Sequence, residues 1–176
     1  MQTTKRLVHL TLCVALVGLV TSCAFGTLRS KPGTTTTVIL LRHADRSAGS
    51  EELNAKGRER AQALVAAVSG MGVTAIYSPD VKRNLDTVRP LAAKLGIDIT
   101  VKPDLNVWTA RDMVEEILSK HAGGVVVYVG NVSGSLLTIY RYLGGTDTPP
   151  EEYGDLFVLT VPDRGRVEVD RRRFGP

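Results

Sequence analysis

The sequence predicts an α/β fold, with three α/β/α layers in which helices cover both faces of a mostly parallel sheet. Two observations carry this expectation. Short apolar runs at residues 38–41, 73–77 and 125–129 are bounded by polar or turn residues, as strands buried on both faces are. Helical periodicity fills the intervals between such runs, and strands alternating with helices are the signature of a parallel sheet.

Taken in order, residues 36–41 form the first strand and a polar loop follows. Asn54 is placed to cap a helix over 54–69, whose Leu64, Val65 and Val68 share one face and which ends at Gly70 and Gly72. Residues 73–77 are the second strand. Residues 80–95 are helical, and Pro90 is expected to bend that helix or open a second one. A strand at 97–101 and a helix at 111–121 lead to the strongly apolar strand 125–129. A helix at 134–143 is closed by Gly144 and Gly145. Residues 156–161 and 166–170, joined across Asp163-Arg164-Gly165, form a closing antiparallel hairpin. No internal repeat and no second domain is visible in the 176 residues.

The N-terminus is set apart from this pattern. Lys5 and Arg6 precede an apolar stretch over 7–20, short for a membrane span, and small residues then lead into Cys23. Residues 1–22 therefore read as a secretion signal. Val20-Thr21-Ser22-Cys23 resembles the bacterial lipoprotein lipobox, which implies lipidation at Cys23 and a membrane partner through that anchor. Residues 23–36 are expected to be the lipidated cysteine and a flexible tether, and 37–176 the folded domain. Ala24, rather than an aspartate, follows the cysteine. In that resemblance this implies the cell envelope, at the outer membrane facing the periplasm. Without residues 1–22 the chain keeps 20 basic and 18 acidic residues, so the +4 of the full chain overstates its basicity and a nucleic-acid partner is not supported. Cys13 leaves with the signal and Cys23 is lipidated, so no disulfide is expected.

Ligands of parallel sheets bind beyond the carboxyl ends of the strands. The first strand ends at Arg42-His43, the second near Ser78, and the strand 125–129 runs into Gly130-Asn131-Val132-Ser133-Gly134. Arg83 and Thr87 are four apart on one face of the helix after the second strand. Two guanidinium groups, an imidazole and helix N-termini on one rim suit a phosphate-sized anion. Other chemistries fit less well. Two histidines outside the signal and a lipidated cysteine do not make a usual zinc site, and residues 130–134 are not Gly-x-Ser-x-Gly. Asn131-Val132-Ser133 matches a glycosylation sequon by coincidence in a chain with a bacterial-type lipobox. Arg171–Arg173 read as a solvated chain end rather than a lipid-headgroup contact.

Five segments in order resemble the histidine phosphatase superfamily, in its phosphoglycerate-mutase-like branch. They are LLRHADR, LNAKGRERAQAL, KRNLDTVRPLA, VVVYVG and YGDLFVLTVPDRG. The resemblance implies a phosphoglycerate-mutase-like fold, His43 as a nucleophile that becomes phosphorylated, and Arg42 and Arg83 as phosphate-binding residues. It implies a small phosphorylated substrate or phosphate as partner, and no metal or other cofactor. Guanidinium forks around a neutral imidazole suit in-line attack on phosphorus.

Three departures qualify the likeness. The family's second histidine falls on Asn131, and the serine before the second arginine falls on Pro79, beside Ser78. The acid has no clear counterpart: Asp45 and Asp104 are candidates, and Asn106 stands where a glutamate would be expected. An asparagine amide donates hydrogen bonds but brings no charge, and losing one preorganised donor costs roughly 3–4 kcal/mol, or about 10²–10³ in rate. His121 is expected at the opposite end of the strand 125–129, about 15–20 Å from the rim, as a helix-terminal histidine favoured by the dipole. The expected function is phosphomonoester hydrolysis through phospho-His43, with weak turnover. The alternative is a catalytically disabled relative that binds phosphate or phosphoryl ligands at the envelope.

Overall fold

The computed structural model describes residues 26–103 and 107–176. The expected signal segment, Cys23, Asp104 and Asn106 lie outside the described residues.

Along β1 (Thr35–Arg42), Val38 and Leu40 enter one core while Ile39 and Leu41 enter the other. In β4 (Val125–Gly130), Val126 and Tyr128 face the first core, Val127 and Val129 the second. A strand with no polar side is stable only with both faces covered. Helices α1 (Ala55–Val68) and α2 (Lys82–Leu95) cover one face through Leu64, Val68, Val88 and Leu91. Helices α3 (Val107–Lys120) and α4 (Leu136–Tyr142) cover the other through Val114, Ile117, Leu136 and Ile139.

With β2 (Val73–Pro79), β3 (Ile99–Lys102), β5 (Asp155–Pro162) and β6 (Glu168–Arg173), the sheet order is β3-β2-β4-β1-β5-β6. β3, β2, β4 and β1 run parallel, while β5 and β6 add an antiparallel edge. The three-layer, mostly parallel expectation is met.

Asn54 caps α1, its Oδ1 accepting from Gly57 N–H at 2.9 Å. Pro90 neither opens a new helix nor ends α2, which runs on as one helix to Leu95. The flexible tether ends earlier than residue 36. Leu28 N–H donates to the Tyr142 carbonyl at 2.8 Å, and the buried Ser30 hydroxyl donates to the Val161 carbonyl at 2.6 Å. Those partners lie far along the chain, so composition alone reads the segment as loose.

Gly57 packs its α-carbon onto the loop after β1, and a Cβ there would overlap the Asp45 carbonyl oxygen. Gly57→Ala is therefore expected to cost about 1–3 kcal/mol, measured by denaturant unfolding. An unchanged midpoint would show that the loop yields freely.

Candidate active site

Adjacent parallel strands deliver the site. In the β1–β4 register Arg42 lies opposite Gly130, and His43 N–H donates to the Gly130 carbonyl at 3.2 Å. His43 and Asn131 thus leave neighbouring strand ends together. β2 lies on the other side of β4 and leads into α2, which carries Arg83 to the same rim.

His43 is 3% exposed. Its Nδ1 lies 2.8 Å from the Ala44 carbonyl oxygen, which can only accept. The neutral ring therefore holds its proton on Nδ1 and keeps a lone pair on Nε2. Burial lowers the imidazole pKa to about 4, against the pull of the Ala44 hydrogen bond and with help from the charges of Arg42, Arg83 and Arg46. At neutral pH this is an uncharged imidazole with a lone pair on Nε2.

Arg42 is held from the loop before β5. Its guanidinium lies over the Tyr153 ring, 4.1 Å from the centroid, and Nη1 donates to the Glu151 carbonyl at 2.7 Å. Its Nε is buried with no hydrogen-bond partner among the described residues, a donor left for an anion. Tyr153 also sits 5.7 Å from the His43 ring, centroid to centroid.

Arg83 donates from Nε and Nη2 to Asn131 Oδ1, at 3.1 and 2.9 Å. Guanidinium has no acceptor, so the amide oxygen must face it, and the Nδ2 hydrogens remain for an incoming acceptor. Arg83 Nη1 pairs with Glu51. Thr87 ties the helix to the loop after β1: its hydroxyl donates to the Arg83 carbonyl at 2.7 Å and accepts from Ala44 N–H at 2.9 Å.

Asp45 is not free to serve as a proton donor. Its carboxylate accepts from buried Arg60 at 2.5 Å, and Arg60 also donates to the Phe174 carbonyl at 2.7 Å. Burial alone would raise the Asp45 carboxyl, but Arg60 outweighs it and holds the pKa below the ordinary value. Asp45 is a structural anchor, because a carboxylate paired with a buried guanidinium keeps its charge. Ser78 is fully buried and donates to the Pro79 carbonyl, at 2.9 Å. His121 pairs through Nε2 with the Tyr77 hydroxyl at 3.0 Å, and burial lowers its pKa. It is a neutral packing histidine at the end of α3, not a dipole-favoured cation.

Sequence reasoning missed Glu51 and Tyr153 as site residues. Glu51 lies in the polar loop after the first strand and Tyr153 opens the YGDLFVLTVPDRG segment, but their contacts are tertiary.

Residues 38–116 match the family model of the histidine phosphatase superfamily, branch 1. An 8-oxo-(d)GTP phosphatase from Mycolicibacterium smegmatis is 29% identical over 157 residues, covering 80% of this chain and 49% of that protein. The chain thus spans about half the length of that curated relative. The protein histidine phosphatase SixA, solved with tungstate, superposes with a TM-score of 0.61 at 14% identity, over 78% of this chain and 96% of its own. A phosphoglycerate mutase from Plasmodium falciparum superposes at 0.55 and 16% identity, over 78% and 89% of the two chains. The chain has the phosphoglycerate-mutase-like α/β fold of these solved structures, and its residues 38–116 are similar to the histidine phosphatase superfamily, branch 1.

The buried imidazole has a consequence for stability. The unfolded chain takes up a proton below the ordinary 6.5, whereas folded His43 stays neutral down to about 4. Its contribution is whole above 6.5 and drains as pH falls toward 4, a change on the order of 3 kcal/mol. Unfolding free energies of wild type and His43→Gln between pH 7 and 4 should show this slope only in wild type. Parallel curves would mean the ring is not shielded.

Proposed function

We propose that this chain is a phosphomonoesterase acting through a phosphohistidine on His43, with slow turnover and small phosphorylated substrates. The observation that carries the reading is the neutral His43 Nε2 set among Arg42, Arg83 and Asn131, with Nδ1 fixed on a carbonyl. In this mechanism Nε2 attacks phosphorus in line with the leaving oxygen. Arg42 Nε and the outer hydrogens of Arg83 bind the equatorial oxygens, and the Ala44 carbonyl supports the cationic ring of the intermediate. We place Asn131 where the family's second histidine stands. Its amide donates to the phosphoryl group, and Arg83 holds it in the orientation that allows this.

The alternative is a phosphate-binding protein without turnover. The neutral amide at 131 favours it, as does the engagement of Arg83 by Asn131 and Glu51. One assay separates the two. Wild type should hydrolyse 4-nitrophenyl phosphate, His43→Ala should abolish the activity, and Asn131→Ala should lower it about 10²–10³-fold. A wild type that phosphate stabilises thermally but that never turns over would select the binding reading.

We also propose that the chain is lipidated at Cys23 and held at the envelope, the outer membrane being the expected site. The support is the order of basic residues, apolar stretch and small residues before the cysteine. Expressed in a bacterial host fed labelled palmitate, wild type should take up label and partition into detergent, while Cys23→Ser should do neither. Equal labelling of both would remove the lipoprotein reading.

A further inference from the structure

With Asp45 committed to Arg60, the carboxylate that reaches the phosphate-binding groups among the described residues is Glu51, paired with Arg83 Nη1. It is not carried on a slack loop. Arg46 and Leu53 bridge the ends of the segment, and Arg46 Nη1 donates to the Ser50 carbonyl at 2.8 Å. The Ser50 hydroxyl accepts from Glu52 N–H at 2.9 Å, and Glu52 lies 3.7 Å from Lys82 at the start of α2. This bracing points Glu51 at Arg83. Its side chain is nevertheless 62% exposed, so a phosphoryl group can take its place on the guanidinium at little cost in desolvation.

Resting on the phosphohistidine reading, we propose that Glu51 is the acid–base residue of the reaction, latched onto Arg83 until substrate phosphate displaces it. Once displaced, Glu51 takes a proton from solvent at the mouth of the site. As His43 Nε2 forms its bond to phosphorus, the bond to the leaving oxygen breaks and that oxygen takes the Glu51 proton, releasing an alcohol. The Glu51 carboxylate then removes a proton from water, whose oxygen attacks phosphorus. The phosphorus–nitrogen bond breaks, its electron pair returns to Nε2, and inorganic phosphate leaves with Glu51 protonated again.

Both halves of the proposal are tested on the full-length protein with Glu51→Gln. An alkyl phosphate needs a proton on its leaving oxygen, whereas 4-nitrophenolate leaves without one. Glu51→Gln should therefore lose about 10²-fold or more in kcat/KM on ethyl phosphate and less than about 5-fold on 4-nitrophenyl phosphate. Removing the competing charge should also tighten inorganic phosphate binding, read by calorimetry. Equal losses on the two esters, or none on ethyl phosphate, would overturn the acid role while leaving the nucleophile intact. Unchanged or weaker phosphate binding would overturn the latch. A wild type inert on both esters and matched by His43→Ala would bring down the phosphohistidine reading, and this proposal with it.

Discussion

The parallel pairing of β1 with β4 is the constraint on which the rest of the site depends. Because Arg42 lies opposite Gly130, the next residue of each strand, His43 and Asn131, must emerge side by side. A one-residue slip would send Ile39 and Leu41 toward the other helical layer and turn the whole apolar set over. The register is therefore held by both cores at once. The site inherits its precision from packing that has no chemical role.

Burial at that rim keeps the imidazole neutral, at a cost in stability that appears only as pH falls below 6.5. Sealing His43 from water keeps Nε2 unprotonated at neutral pH, and three nearby guanidiniums add to the effect. Those cations also raise the local preference for an anion, so one arrangement keeps the imidazole neutral and favours a negative charge beside it. The Asp45–Arg60 pair performs the supporting task. It pins the residue two positions after His43 to α1 and, through the Phe174 carbonyl, to the end of the described chain. An aspartate two positions from the site histidine invites a chemical role, but its partner makes it a brace.

Most of the fold was legible because strands buried on both faces are continuous apolar runs, and because the helices carry their own stops and caps. Errors fell where a partner lies far away in sequence. Residues 28–34 lack any periodic pattern, yet Leu28 and Ser30 are docked by Tyr142 and Val161. From sequence, Pro90 is expected to bend α2 or open a second helix; no second helix opens, because packing of Val88 and Leu91 against the sheet outweighs the lost hydrogen bond.

By itself, the sequence determined which elements form and that Arg42, His43, Arg83 and Asn131 gather at the carboxyl ends of neighbouring strands. Local patterning suffices for this, since strand ends and helix starts are set within a few residues of each position. Only the tertiary structure decided which atoms of those side chains are free to act. Asn131 meets Arg83 across 48 residues, Arg42 meets Glu151 across 109, and Glu51 meets Arg83 across 32. No local pattern records such contacts. They turn the Asn131 oxygen to Arg83, hold Arg42 against the loop before β5 and set Glu51 against Arg83.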